Sequence, residues 1–136
     1  MQNDNKKYTN CGNSLAKQVA HVVCAETLAT SLRVVEALTS MIFNRAQKTN
    51  QSVADVISDA NVFESLNKNS ERNKYLVINE SSKEFQMCLR VATRMLRGNL
   101  GDMCWHATNF HHESCSPDWA IARGYIMCVD GLLFYL

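Results

Sequence analysis

Three groups of residues in this chain have the types and spacing that chemistry requires. The first is a single carboxylic acid, Glu26, which ends the apolar run Val22-Val23-Cys24-Ala25. A carboxyl held against apolar walls has its charged form disfavoured. A carboxyl that stays neutral near neutrality is a proton donor, the general acid of glycosidic bond cleavage. A solvated or salt-bridged Glu at a helix end is the competing reading. The second group is the segment Cys104–Cys115, which holds two Cys, three His and one Glu within twelve residues. Zinc takes such ligands. On a strand, His106 and His112 share a face while His111 points away. The spacing matches no standard zinc pattern, and Cys104 and Cys115 equally suit a disulfide. The third group is aromatic and polar: Trp105, Phe110, Trp119 and Tyr125, with Asn109, His111 and Asp118. Sugar rings stack their C–H faces on aromatic rings and take hydrogen bonds from such polar groups. Core filling is the alternative, above all for Phe110. A nucleophilic pair of Cys115 with His111 lacks an orienting third group.

The elements that must position these groups are mostly helical. Leu15, Val19, Val22, Val23 and Cys24 form a stripe at helical spacing that ends near Glu26, with Ser14 as a candidate N-cap. The small hydroxyl residues of Thr27–Ser31 interrupt it. A second helix is predicted from about Leu32 to Lys48, with Val34, Val35, Leu38, Met41 and Ile42 on its core face. Ser52 and Asp55 mark the start of a short helix, and Leu66–Lys74 reads as a long surface loop. Ser81 or Ser82 opens a third long helix with Phe85, Cys88, Leu89 and Ala92 on one face, stopped at Gly98. Beyond Gly101 the pattern changes to alternation. Trp105–His111 and Gly131–Leu136 are the predicted strands.

The chain has 136 residues, 46% of them hydrophobic and 20% charged, with a net charge of +1. That is one domain's worth of chain and ordinary globular usage. We expect a flexible arm over residues 1–14 and a single domain over 15–136. No uncharged apolar run approaches membrane-spanning length, and no basic stripe supports nucleic-acid binding. Six cysteines include no CxxC pair. Cys24 and Cys88 fall in apolar helical patterns and read as buried. Cys104, Cys115 and Cys128, with Cys11, are open to disulfide formation outside a reducing cytosol. The N-terminal stretch is polar and lacks the apolar core of a signal peptide. Release by a phage-type lysis route, or a signal already removed, would each carry the protein to the cell envelope.

Several segments together resemble one family. Ala25-Glu26 resembles the AE segment of the SleB-like cell-wall hydrolases, the family of the spore-cortex-lytic enzyme, in which that Glu is the catalytic acid. Eighteen residues on, Ile42-Phe43-Asn44-Arg45 resembles the family's "ILNR" helix end. Ser52–Ile57 with Phe63 resembles its "TVxxVIxxxxxF" stretch. Ala107–His111, Pro117-Asp118-Trp119 and Gly131–Tyr135 resemble its closing "AThfH…PxW…GxHxFy" segments. The likeness runs from about Leu15 to Tyr135. There are departures. The run after the acid is Thr27-Leu28-Ala29-Thr30, without the acidic and glycine residues common there. Asn109 stands where many members have His, and Leu132 or Leu133 where the family has His before the closing Phe.

The resemblance implies an α+β, lysozyme-like fold with a helical body and a small antiparallel sheet in the C-terminal third. It implies a glycosidase that cuts the β-1,4 bond between MurNAc and GlcNAc in peptidoglycan, with Glu26 as the acid. Phe63, Thr108, Asn109, His111 and Trp119 would line the cleft, while Asn44 and Arg45 would tie the second helix to its floor. With only Asp118 and Glu113 as nearby second carboxylates, a lytic transglycosylase route is favoured over hydrolysis. No metal and no cofactor is called for, the glycan strand is the partner, and a monomer is expected. A zinc-dependent amidase built on the Cys/His segment and a non-catalytic wall-binding module are the alternatives.

Overall fold

The computed structural model describes the backbone of residues 2–136 and the side chains from Ser14 onward. Residues 1–13 of the expected arm, and Cys11 with them, lie outside the residues whose side chains are described. Helix α1 is Gln2–Thr27 and runs through Ser14, so that serine is not its cap. The chain then reverses on two consecutive non-glycine residues in the left-handed region, Leu28 (φ 55°) and Ala29 (φ 49°). The Thr27 hydroxyl holds this turn by donating to the Val23 carbonyl at 2.8 Å and accepting from the Ala29 N–H at 3.0 Å.

Ser31 then caps α2 (Leu32–Thr49), its hydroxyl accepting the Val34 N–H. Val34, Val35, Leu38, Met41, Ile42 and Ala46 of α2 are buried, as the 3.6-residue period requires. Ser52 caps the short α3 (Val53–Val56) and Ser82 caps α4 (Lys83–Leu96) in the same way. The stretch expected as a surface loop is more ordered. Two 3-10 turns, Glu64–Leu66 and Glu71–Val77, overlap its ends, and Ser65, just ahead of it, is fully buried.

Strands β1 (Asn109–His112), β2 (Tyr125–Val129) and β3 (Leu132–Tyr135) form an antiparallel sheet in the order β1-β3-β2. The β2–β3 turn places Asp130 (φ 47°) and Gly131 (φ 80°) at consecutive positive φ, the hairpin geometry that Asp-Gly favours. The fold is therefore α+β, with the helices and one face of the sheet closing a core that includes Phe63, Phe85, Phe110 and Phe134. Two strand expectations need correction. The first strand starts at Asn109 rather than Trp105, and β2 had no sequence signal strong enough to mark it. The Asp102 carboxylate explains the first. It accepts the N–H groups of Cys104 (3.2 Å) and His106 (2.8 Å), and so curls the chain before extension begins. Cys24, Cys88, Cys104, Cys115 and Cys128 are free thiols.

Candidate active site

The last turn of α1 carries Glu26 into the protein's interior, where the residue is 1% exposed. Both carboxyl oxygens are engaged. Oε2 accepts the backbone N–H of Ser65 at 2.7 Å, and Oε1 lies 2.7 Å from Nε2 of His112. Among the described residues, no lysine or arginine pairs with this carboxyl. The Ser65 contact is braced from behind. Asn73 donates to the Ser65 carbonyl at 2.9 Å. Arg72 donates to the Glu26 carbonyl at 3.2 Å and to Glu64 at 3.1 Å. The two 3-10 turns thus exist, in functional terms, to deliver one N–H to one carboxylate. The Ser65 hydroxyl is buried without a partner.

His112 ends β1. Its side chain is 6% exposed and meets Phe110 edge-on at 5.6 Å. Period-2 alternation puts Phe110 and His112 on the inward face and Asn109 and His111 on the other. His112 was singled out only as a candidate metal ligand, yet the same alternation held the signal: if Phe110 fills the core, His112 follows it inward.

Three depressions meet around this pair. One of about 250 Å3 is lined by Glu26, His112, Glu113, Asp130 and Arg72 among others. A second, of about 200 Å3, is lined by Phe110, His111, His112, Pro117 and Trp119, and meets the first at His112. A third, of about 470 Å3, shares Leu28, Arg72 and Ser114 with the first and carries Lys74 and Tyr75. They form a groove with Glu26 beneath its middle.

On one wall His111 is locked into an aromatic cluster. It stacks on Tyr135 at 5.3 Å and meets Trp119 edge-on at 5.8 Å. Its Nδ1 lies 2.8 Å from the His112 carbonyl, which only accepts, so Nδ1 carries the proton. Nε2 lies 3.1 Å from the Tyr135 hydroxyl. Trp119, 47% exposed, presents its ring to the groove.

His111 and Trp119 both line the second depression. Three other expected contacts do not. Phe63 is 0% exposed and packs behind Phe110 at 5.7 Å, so it is core rather than wall. Thr108 is buried, its N–H on the Tyr135 carbonyl and its own carbonyl on Arg45. Asn109 is spent on scaffolding, accepting from Arg45 at 2.6 Å and donating to the Leu136 carbonyl at 3.1 Å. The expected tie is present: Asn44 donates to the Ala107 carbonyl at 3.1 Å and Arg45 to that of Thr108 at 3.0 Å. These bonds fasten the end of α2 to the chain entering β1.

Of the other carboxylates, Glu64, Glu71, Glu113 and Asp130 line the groove, whereas Asp118 is not among its lining residues. Glu113 lies over Gly131, where a Cβ would come within 3.3 Å of the carboxyl. Asp130 accepts the hydroxyls of Ser31 (2.6 Å) and Thr30 (2.8 Å), which hold its carboxyl below the ordinary carboxylate range. The Cys/His segment disperses. His106 is a surface residue paired with Asp102 at 3.0 Å, His111 and His112 face opposite ways, and Cys104 is buried. Burial, with the adjacent Asp102, pushes the Cys104 thiol up to about 12. Among the described residues no three such side chains converge, and no helix is long and apolar enough to cross a membrane.

The family model described as Cell Wall Hydrolase matches residues 33–135. The match takes in α2, both 3-10 turns at Ser65 and Arg72, α4 and the whole sheet, and it begins seven residues beyond Glu26. No curated protein and no solved structure matches the chain.

Proposed function

We propose that this chain, which belongs to the cell wall hydrolase family, cuts the β-1,4 bond between MurNAc and GlcNAc in peptidoglycan as a lytic transglycosylase. The observation that carries this reading is Glu26: a carboxyl sealed beneath a groove, bonded to an imidazole and one N–H and to no cation. A buried acid so held supplies a proton to a leaving glycosidic oxygen. Trp119 and the His111–Tyr135 stack offer the flat apolar face that a pyranose ring needs. The polar floor beside them, with Arg72 and Glu113, suits N-acetyl and hydroxyl groups.

The route follows from the number and state of carboxylates. Retaining and inverting glycosidases place a second carboxylate across the scissile bond. Here Asp130 is committed to two hydroxyls, Glu64 to Arg72, Glu113 sits over Gly131, and Glu71 lines only the depression that does not include Glu26. With Glu26 as the one carboxylic acid, its proton supplies the leaving oxygen as the C1–O bond breaks. The MurNAc N-acetyl oxygen stabilises the cationic carbon. The ionised Glu26 then accepts the proton of the sugar's own C6 hydroxyl as O6 bonds to C1. The product is a 1,6-anhydro sugar, and no water is consumed. Mass spectrometry of digested peptidoglycan tests this. Anhydro-muropeptides are expected. Reducing-end muramic acid would replace the transglycosylase with a hydrolytic muramidase, and released stem peptides would replace glycosidic with amide cleavage.

A further inference from the structure

We propose that His112 is a catalytic residue in its own right, the imidazole that carries the proton between Glu26 and the glycan. This rests on the reading of Glu26 as the acid. A proton donor must come within hydrogen-bond reach of the oxygen it protonates. The Glu26 side chain is 0% exposed, and each of its oxygens is already held by a protein group at 2.7 Å. His112 lines the same depression as Glu26 and, unlike it, also borders the neighbouring one that holds Trp119. Nε2 is on Oε1, the ring forms part of both depressions that meet there, and Nδ1 bonds to no described residue. A neutral imidazole can release a proton from one nitrogen while taking one on the other.

The proton accounting closes. As the C1–O bond breaks, its electron pair goes to the leaving oxygen, which takes the proton from Nδ1. The proton on Oε1 moves to Nε2. Glu26 is left a carboxylate that accepts from both Nε2–H and the Ser65 N–H, and His112 is left neutral with its proton transposed. When O6 bonds to C1, the C6 hydroxyl proton enters at Nδ1 and the Nε2 proton returns to Oε1. The buried carboxylate is never without two donors. The other charged groups around the ring are Arg72 and Glu64 from the 3-10 turns, Glu113 next along the chain and Asp130 from the hairpin. Arg72 and Asp130 are each tied elsewhere, to Glu64 and to Ser31 and Thr30.

The test is His112→Gln in the full chain. A glutamine amide can still donate toward Oε1 but cannot pass a proton across itself. Turnover should fall by about 100-fold or more, with KM for the glycan and the melting temperature little changed. Wild-type turnover in this variant would overturn the relay. Should the variant not fold, His112→Gly is assayed with added imidazole and with 1-methylimidazole, which has one nitrogen blocked. Rescue by imidazole alone supports the relay; equal rescue by both, or by neither, overturns it. Full activity in Glu26→Gln would instead remove the acid assignment itself, a failure distinct from that of the relay.

Discussion

Replacing Glu26 by glutamine separates chemistry from architecture at this site. The carboxyl satisfies two buried partners, the Ser65 N–H and Nε2 of His112, each at 2.7 Å. Glutamine can satisfy both. Its carbonyl oxygen accepts from Ser65, and its amide donates to Nε2 once the imidazole proton sits on Nδ1. No buried group is orphaned, so stability should change by less than about 1 kcal/mol, the difference between charge-assisted and neutral hydrogen bonds. Glu26→Leu fills similar space and satisfies neither partner. A buried donor or acceptor left unpaired costs roughly 1–3 kcal/mol, so the Ser65 N–H and Nε2 of His112 together give roughly 2–6 kcal/mol. At about 3 °C per kcal/mol for a chain of this size, the leucine variant should melt roughly 6–18 °C lower. Both variants should lose muropeptide release, the glutamine one by about 1,000-fold at unchanged KM. Thermal melts and muropeptide release on the same preparations read both quantities. A glutamine variant that melts as low as the leucine one would make Glu26 an architectural residue whose loss of activity reports unfolding. One that digests wall at the normal rate would refute the acid outright.

Three further predictions follow from particular contacts. Ala29 holds φ 49° in the turn after Glu26. A left-handed L-residue costs roughly 1–2 kcal/mol and glycine's extra unfolded entropy roughly 0.4–1, so Ala29→Gly should raise the melting temperature slightly; a fall of several degrees refutes the strain. Phe63→Leu should lower stability by about 1 kcal/mol without changing KM, whereas Trp119→Ala should raise KM about 5-fold at unchanged stability; the reverse pattern would put Phe63 back on the wall. The Asp130 carboxyl is depressed by the Ser31 and Thr30 hydroxyls, so what it contributes is present above the ordinary carboxylate range and lost as pH falls through and below about 4. Urea midpoints at pH 5 and pH 3 should therefore differ less in Asp130→Asn than in wild type, and equal differences would deny Asp130 that role.

What could be read from the residues in order was what depends on near neighbours. The stripes of α2 and α4, the serine caps of α3 and α4 and the break after Glu26 all follow from spacing within a few positions and are present, whereas Ser14, read as a cap, lies inside α1. Even the tie from Asn44 and Arg45 was accessible through resemblance. The strand start was not, because a carboxylate at Asp102 decides it by capturing two N–H groups ahead of the extended run. Phe63, Thr108 and Asn109 carry the residue types of a sugar-binding wall, yet the core and the Arg45 anchor take them first. A polar type says that a side chain will find partners, not that the partner is substrate.

His112 shows where local reading ends. Parity along β1 puts it on the same face as Phe110, and nothing within ten residues says what that face meets. Its partner lies 86 positions away on α1, and the β2–β3 hairpin docks Asp130 onto Thr30 and Ser31, in the link between that helix and α2. That docking also accounts for the register. β3 pairs His112 with Leu132 directly beyond the turn, so the hairpin that grips the start of α2 is the one that holds the imidazole over Glu26. Loosening the grip at Asp130 should therefore be felt first not in the core but in the 2.7 Å contact between acid and imidazole. The Glu26–His112 contact and the hairpin turn are two ends of one lever.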